Sequence, residues 1–363
     1  MTRGTVLIMA GGTGGHVFPA LAAARVLRER GFEPVWLGTQ RGLEAKLVPP
    51  QQIEIEWISV SGLRGKGVMA WLLAPFRMAY AVWQSLQVMR RRRPSVVLGA
   101  GGFVSGPGGV AAWLTRRPLV IHEQNAVAGM TNRLLSRLAH RVLEAFPGSF
   151  PRGARAERVG NPVRREIAAI AAPAQRFAER RGPVRLLVIG GSQGAARLNA
   201  VLPVALAMLD AAYRPRVLHQ AGERHFEHAR ELYAKHSVQA DVRAFIDDMA
   251  DAYGWADLVV CRSGALTVSE IAAAGLAAVF IPFAAAVDDH QTLNARFLVD
   301  AQAAVLICEA ELTPLRLAEE LRSLLAAGRA HLTDMAMRAR TLAITDADVR
   351  LADACVAAAG GAA

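Results

Sequence analysis

The run Gly11-Gly12-Thr13-Gly14-Gly15-His16 joins an apolar stretch to an amphipathic one. Bare amides at a strand-to-helix turn, backed by the positive end of a helix dipole, favour a phosphate or another anion. Four glycines in five positions are more than a tight turn needs, so the loop reads as an anion site. His16 closes it where the dipole favours the neutral imidazole, the form that accepts a proton; it is the candidate general base. A dinucleotide fingerprint would need glycine where Val17 stands and an acidic residue after the second strand, which ends Leu37-Gly38-Thr39. A nicotinamide cofactor is therefore disfavoured.

Two more glycine loops follow. Residues 99–109 carry six glycines and read as a second anion cradle, with Gly14, Gly15, Gly102, Ser105 and Gly106 as contacts for a pyrophosphate. Residues 190–194, GGSQG, also spell the GxSxG nucleophile elbow around Ser192, and a triad could be drawn with Asp288 or Asp289 and His290. Acid and base would then be neighbours on one loop, which makes a serine hydrolase the weaker reading. In 261–270, CRSGALTVSE, Ser263 fits a helix N-cap with the following amides aimed at a phosphate. Thr267-x-x-Glu270 matches a capping box, yet Glu270 could equally accept hydrogen bonds from ribose hydroxyls; spacing leaves both open.

The elements that must position these groups alternate in α/β fashion. Strands are predicted at 5–10, 34–38, 96–98 and 119–122, with helical stretches at 19–30 and 128–139. A second series opens at 184–189 and continues at 216–220, 242–245, 258–261, 278–281 and 304–307. This predicts two Rossmann-like domains with parallel sheets facing a central cleft, 1–163 and 164–345, with a last helix at about 346–363 packing back on the first.

The chain of 363 residues is 53% hydrophobic and 20% charged, too apolar for disorder. Residues 1–163 hold 21 basic and 8 acidic side chains, +13, whereas 164–363 hold 21 and 23, −2, so a polyanionic partner or surface should meet the first half. Cys261, Cys308 and Cys355 are too few and scattered for a disulfide framework or metal clip, and point to a reducing compartment. No secretion signal or membrane-spanning run is predicted. A helical stretch at 68–89 carries Trp71, Leu72, Phe76, Tyr80 and Trp83, and four arginines follow at 90–93. Against the plainer reading of a core helix with a basic end, the domain's charge favours a helix lying in an anionic lipid interface. No nucleic-acid-binding pattern is present, so no nucleic-acid partner is expected.

With these loops in place the sequence closely resembles the MurG family of bacterial UDP-N-acetylglucosamine:undecaprenyl-pyrophosphoryl-N-acetylmuramoyl-pentapeptide N-acetylglucosaminyltransferases. GGTGGHVFPA at 11–20, SGLRGKG at 61–67, GGFVSGPGG at 101–109, HEQN at 122–125, GNPVR at 160–164, GGSQGA at 190–195, FIDDM at 245–249 and CRSGALTVSE at 261–270 fit it in order. The resemblance implies a GT-B fold, with the donor held mainly by the second domain and the lipid acceptor by the first. It implies inverting, metal-independent transfer of GlcNAc from UDP-GlcNAc to lipid I, giving lipid II, with no cofactor. Carried over residue by residue, Thr13, Gly14, Gly15, Asn125, Arg164, Ser192, Ile246, Arg262, Ala265, Leu266, Thr267, Val268, Ser269, Glu270, His290 and Gln291 would line the donor site. Within it, Ile246 would offer its backbone to uracil, Glu270 would take the ribose, His290 and Gln291 would face the sugar, and Ser192, Arg262 and the amides at 265–267 would meet the diphosphate. Asp288 and Asp289 read as solvated loop acids rather than metal ligands. The resemblance also implies a peripheral place on the cytoplasmic face of the bacterial inner membrane, beside other wall-synthesis and division proteins. A soluble UDP-GlcNAc epimerase of similar architecture is the alternative from another enzyme class.

Overall fold

A computed structural model of the chain describes residues 3–60, 72–190, 194–284 and 289–360. It divides into two compact units, residues 1–163 with 346–363, and residues 164–345.

The first unit is built on seven parallel strands: β1 Gly4–Met9, β2 Phe32–Gly38, β3 Glu54–Trp57, β4 Val96–Gly99, β5 Leu119–Glu123, β6 Arg141–Glu144 and β7 Glu157–Arg158. Their order is β3-β2-β1-β4-β5-β6-β7. Because side chains alternate across a strand, Val6 and Ile8 face the helices Gly14–Glu29 and Ala347–Gly360, while Leu7 and Met9 face the other core, with Val88, Ala111 and Leu135. Both faces are covered, and the central strands β1 and β4 are accordingly near-continuous apolar runs. Trp36 is fully buried, and its indole N–H donates to the Ala10 carbonyl at 2.9 Å, so this large ring costs no unmet donor.

The second unit repeats the plan with β8 Arg185–Ile189, β9 Arg216–Gln220, β10 Asp241–Arg243, β11 Leu258–Cys261, β12 Ala277–Phe280 and β13 Ala304–Leu306, ordered β10-β9-β8-β11-β12-β13. Leu186, Val188, Leu258, Val260 and Val279 pack with Leu198, Leu202, Leu321 and Met335 of the flanking helices. Asp257, wholly buried, accepts from the Arg185 amide at 2.9 Å and pairs with Arg180 and Arg329, so its charge is matched rather than stranded.

In each unit the strand order reverses once, between β1 and β4 and between β8 and β11. Chain leaving two such strands diverges to opposite sides of the sheet and opens a crevice at their carboxyl ends. The first and second glycine loops lie at one reversal; Gly190 and the segment after Cys261 lie at the other.

Candidate active site

The first loop is shorter than the sequence suggests, because the helix begins at Gly14 and holds Pro19 within it. His16 and Val17 donate to the Thr13 carbonyl at 3.1 and 3.2 Å, so the amides of Gly14 and Gly15 stand ahead of the helical ladder. Thr13 is the N-cap, although its side chain makes no cap bond. Behind the loop, Glu44 is completely buried and accepts from Gly12 N–H at 3.0 Å and from Thr39 N–H and Oγ1 at 2.9 and 2.8 Å. A Cβ on Gly11 or Gly42 would run into that carboxylate. Nothing in the sequence marked Glu44, because a lone Glu in a polar stretch reads as solvated.

The half-buried His16 places Nδ1 2.9 Å from Gln124 Oε1, in the loop after β5. Gly101 lies against the ring: a Cβ there would come within 2.6 Å of Nδ1. Asn125 donates through its backbone and side-chain amides to Glu123 Oε1, at 3.0 and 3.2 Å. Glu123, buried as well, also accepts from the Gly129 amide and Asn132 Nδ2.

The second glycine loop requires correction. Residues from Ser105 onward form the helix Ser105–Leu114, so half of the segment is helix rather than loop. Ser105 is fully buried and its hydroxyl donates to the Met9 and Gly101 carbonyls at 3.0 and 2.8 Å; its side chain is not presented to a ligand. Packing accounts for several of the glycines. A Cβ on Gly108 would strike Met9, one on Gly109 would strike Leu135, and one on Gly102, whose φ is +83°, would strike the Gly11 carbonyl oxygen. Gly102 thus brings the second loop against the first, whereas a Cβ on Gly106 would meet only Thr131, at an ordinary contact distance of 3.6 Å.

In the second unit, the helix Ala265–Ala274 is capped by Gly264, not by Ser263, which is buried with no hydrogen-bond partner for its hydroxyl among the described residues. Val268 N–H makes the first helical bond, to the Gly264 carbonyl at 3.0 Å, leaving the amides of Ala265, Leu266 and Thr267 ahead of the ladder. The capping-box reading of Thr267 and Glu270 falls, since both lie inside the helix. Glu270 instead accepts from Arg164 Nη2 at 2.9 Å and Nε at 3.2 Å, and from the Tyr253 hydroxyl at 3.1 Å. Burial pushes its carboxyl above the usual range, against the opposing pull of Arg164 and Tyr253.

Other donor-site expectations meet groups already engaged. Arg262 donates to the Ile281 and Pro282 carbonyls at 3.0 and 3.1 Å and pairs with Glu309, so it braces the chain after β12 and is not a free cation for a diphosphate. Ile246 gives its N–H to Gln220 Oε1 at 3.1 Å. The Val268 side chain is wholly buried, and Ser269 Oγ donates to the Ala265 carbonyl at 2.9 Å. Gln291 Oε1 accepts from the Phe283 amide at 2.9 Å; His290, half-buried, is the first residue of its helix, behind Asp289 at φ +51°. Ser192, Asp288, the 61–67 motif and Trp71 lie outside the described residues.

The helix Ala74–Arg92 is strongly two-sided. Ala81, Ser85, Val88 and Met89 are buried, whereas Phe76, Tyr80 and Trp83 are 74%, 52% and 52% exposed on the other side, with Leu72 just before it at 64%. The core-helix reading therefore fails for the aromatic stripe. Of the four arginines, Arg91 and Arg92 pair with Glu54 and Glu56 on β3, while Arg90 and Arg93 are exposed. No helix among the described residues is long and apolar enough to cross a membrane.

Two doubly wound parallel sheets, each with a helix N-terminus at its reversal point, agree with what comparison finds. The glycosyltransferase family 28 N-terminal domain matches residues 6–144 and the family 28 C-terminal domain residues 185–351. The chain belongs to this family and is a glycosyltransferase of GT-B fold. Within it the similarity is to one particular enzyme. Proteins named UDP-N-acetylglucosamine--N-acetylmuramyl-(pentapeptide) pyrophosphoryl-undecaprenol N-acetylglucosamine transferase are 57% identical in Alkalilimnicola ehrlichii, over 97% of this chain and 98% of that one, and 58% identical in Chromohalobacter salexigens, over 97% and 96%. The crystal structure of Acinetobacter baumannii MurG superposes with a TM-score of 0.87 at 42% identity, covering 98% of this chain and 100% of that one. The MurG resemblance is borne out, and neither an epimerase nor a hydrolase is supported.

Proposed function

We propose that the chain transfers N-acetylglucosamine from UDP-GlcNAc to the 4-hydroxyl of the N-acetylmuramoyl residue of lipid I, with inversion at the anomeric carbon, giving lipid II and UDP. The observation that carries this is the identity of 57% with a transferase of that name across 97% of the chain, both units included.

The chemistry is a single displacement. The acceptor O4 attacks the anomeric carbon, its proton passes to His16 Nε2, and the bond from that carbon to the β-phosphate oxygen breaks with its electrons leaving on UDP. The growing diphosphate charge is met by the amides of Ala265, Leu266 and Thr267, preorganised ahead of their helix. Glu270, with Arg164 and Tyr253 around it, takes the ribose hydroxyls, and Ile246, whose N–H is engaged, offers its carbonyl to uracil. Gly14, Gly15, Gly102 and Gly106 line the acceptor pyrophosphate. Asn125, Ser192, His290 and Gln291 complete the donor contacts.

The exposed Phe76, Tyr80 and Trp83, with Arg90 and Arg93 at the end of the same helix, support a peripheral position on the anionic cytoplasmic leaflet, where the lipid acceptor resides. The test follows label from UDP-GlcNAc into a lipid I analogue, with His16→Ala in parallel. Labelled lipid product from the wild-type chain, with turnover reduced at least a hundredfold in the variant while UDP still binds, is the expected result. Conversion of UDP-GlcNAc without acceptor, or no transfer at all, would overturn the proposal.

A further inference from the structure

Gln124 is 1% exposed and joins two histidines. Its Oε1 lies 2.9 Å from His16 Nδ1, while its Nε2 lies 2.9 Å from the Ala100 carbonyl oxygen and 3.1 Å from His122 Nδ1. Beyond it, His122 Nε2 lies 2.9 Å from the Gly160 carbonyl oxygen. Every position in this chain has a single assignment. A carbonyl oxygen only accepts, so Gly160 requires the proton of His122 on Nε2, and His122 Nδ1 is then an acceptor. Both His122 Nδ1 and the Ala100 carbonyl demand a donor, which fixes the Gln124 amino group between them and turns Oε1 toward His16. Reversing the amide would set its oxygen against two acceptors at once. Burial holds His122 neutral, pushed down to about 4, so the assignment stands at working pH.

We infer that Gln124 is a positioning residue that keeps the His16 proton on Nδ1 and thereby leaves the Nε2 lone pair as the proton acceptor. The inference rests on His16 being the base. On taking the acceptor's O4 proton at Nε2, the imidazolium still donates from Nδ1 to Gln124, so no hydrogen bond is broken as the charge forms. Gly101 serves the same end, since a side chain there would displace the ring from this contact. A ring free of Gln124 would divide between two tautomers, and the one protonated on Nε2 cannot accept the proton.

Nitrogen-15 spectroscopy of the histidine-labelled full-length chain at alkaline pH tests this, with the His16 signals assigned by their loss in His16→Ala. The wild type is expected to carry its proton on Nδ1 and a bare Nε2. Gln124→Met keeps the volume and removes the acceptor; it should move the proton to Nε2 in much of the population. It should also lower kcat about fivefold, in proportion to the fraction of rings left with a bare Nε2, with KM for UDP-GlcNAc unchanged. A wild-type ring protonated on Nε2 overturns the inference without recourse to any variant, and so does a Gln124→Met enzyme that keeps its tautomer or its kcat. Full turnover by His16→Ala would instead remove the general-base reading, an outcome separable from the tautomer result.

Discussion

The carboxylate of Glu44 holds the amide of Gly12 at 3.0 Å, across 32 residues of chain, and so anchors the first glycine loop from behind. The same group takes both donors of Thr39 at the end of β2. Loop geometry at the reversal point is thus set by a buried charge, not by the glycines alone. Glu44→Ala strands these donors, and should lower stability by about 2–4 kcal/mol in urea titrations. Unchanged unfolding midpoints would show that water replaces the carboxylate at no cost.

Arg262 and Glu309 brace the chain after β12: Arg262 holds two carbonyls, and Glu309 accepts from the Ala284 amide at 2.8 Å. Burial works against the charged form of Glu309, but the Ala284 amide and Arg262 hold it below the usual carboxylate range. Glu309→Ala and Arg262→Ala should each raise KM for UDP-GlcNAc about tenfold. The double variant should add little, because both remove one brace. Steady-state kinetics of the four proteins decides, and full additivity would mean the two residues act separately.

Two histidines make stability depend on pH. Burial pushes His122 and His219 down to about 4 from an ordinary 6.5. Above about pH 6.5 each is neutral in folded and unfolded chain alike and contributes no slope. Between pH 6.5 and 4 the unfolded chain binds the proton and the folded chain does not, so stability falls as pH falls, by about 1.4 kcal/mol per pH unit for each group. Urea midpoints measured at pH 7.5 and 5 should differ in that direction, with a smaller difference in His219→Gln. Equal midpoints would mean these rings are protonated in the folded state.

Replacement of Phe76, Tyr80 and Trp83 by serine removes an exposed aromatic stripe and leaves the buried side of its helix untouched. Partition onto vesicles containing anionic lipid should drop at least about tenfold, given roughly 1.5–3 kcal/mol for full burial of a large apolar side chain. Turnover of a water-soluble acceptor analogue should stay near the wild-type value. Retained vesicle binding would place the membrane contact elsewhere.

The sequence made the strands at the middle of each sheet readable, since β1, β8 and β11 are dense apolar runs followed by glycine or helix signals. It did not reveal β3, β6 or β7. Glu54–Trp57 and Arg141–Glu144 carry charges that pair across the tertiary structure, with Arg91, Arg92 and Glu157, and such residues look solvated in isolation. The same limit hid Glu44 and Glu123, whose partners lie in other elements or across a turn. Motif spacing put a helix start after Ser263, one residue short of its Gly264 cap, but missed the start at Ser105 and could not say which donors were already engaged. Ser105, Ile246 and Arg262 each fit a ligand role by position, yet the side chains of Ser105 and Arg262 and the N–H of Ile246 are bonded within their own unit.

The helix Ala347–Gly360 carries Leu351, Ala352 and Cys355 into the core of the first unit, and Asp348 and Asp353 onto Arg25 and Arg30. The second unit is therefore an insertion within the first. During synthesis the apolar flank of the helix Gly14–Glu29 waits, uncovered, while some 180 further residues (164–345) are translated and fold. Completion of the amino-terminal unit waits on the stretch that follows residue 345. A ribosome that stalls after residue 345 releases a chain whose carboxyl-terminal unit is whole and whose amino-terminal unit exposes sticky surface, which marks the unfinished product for chaperones and proteases.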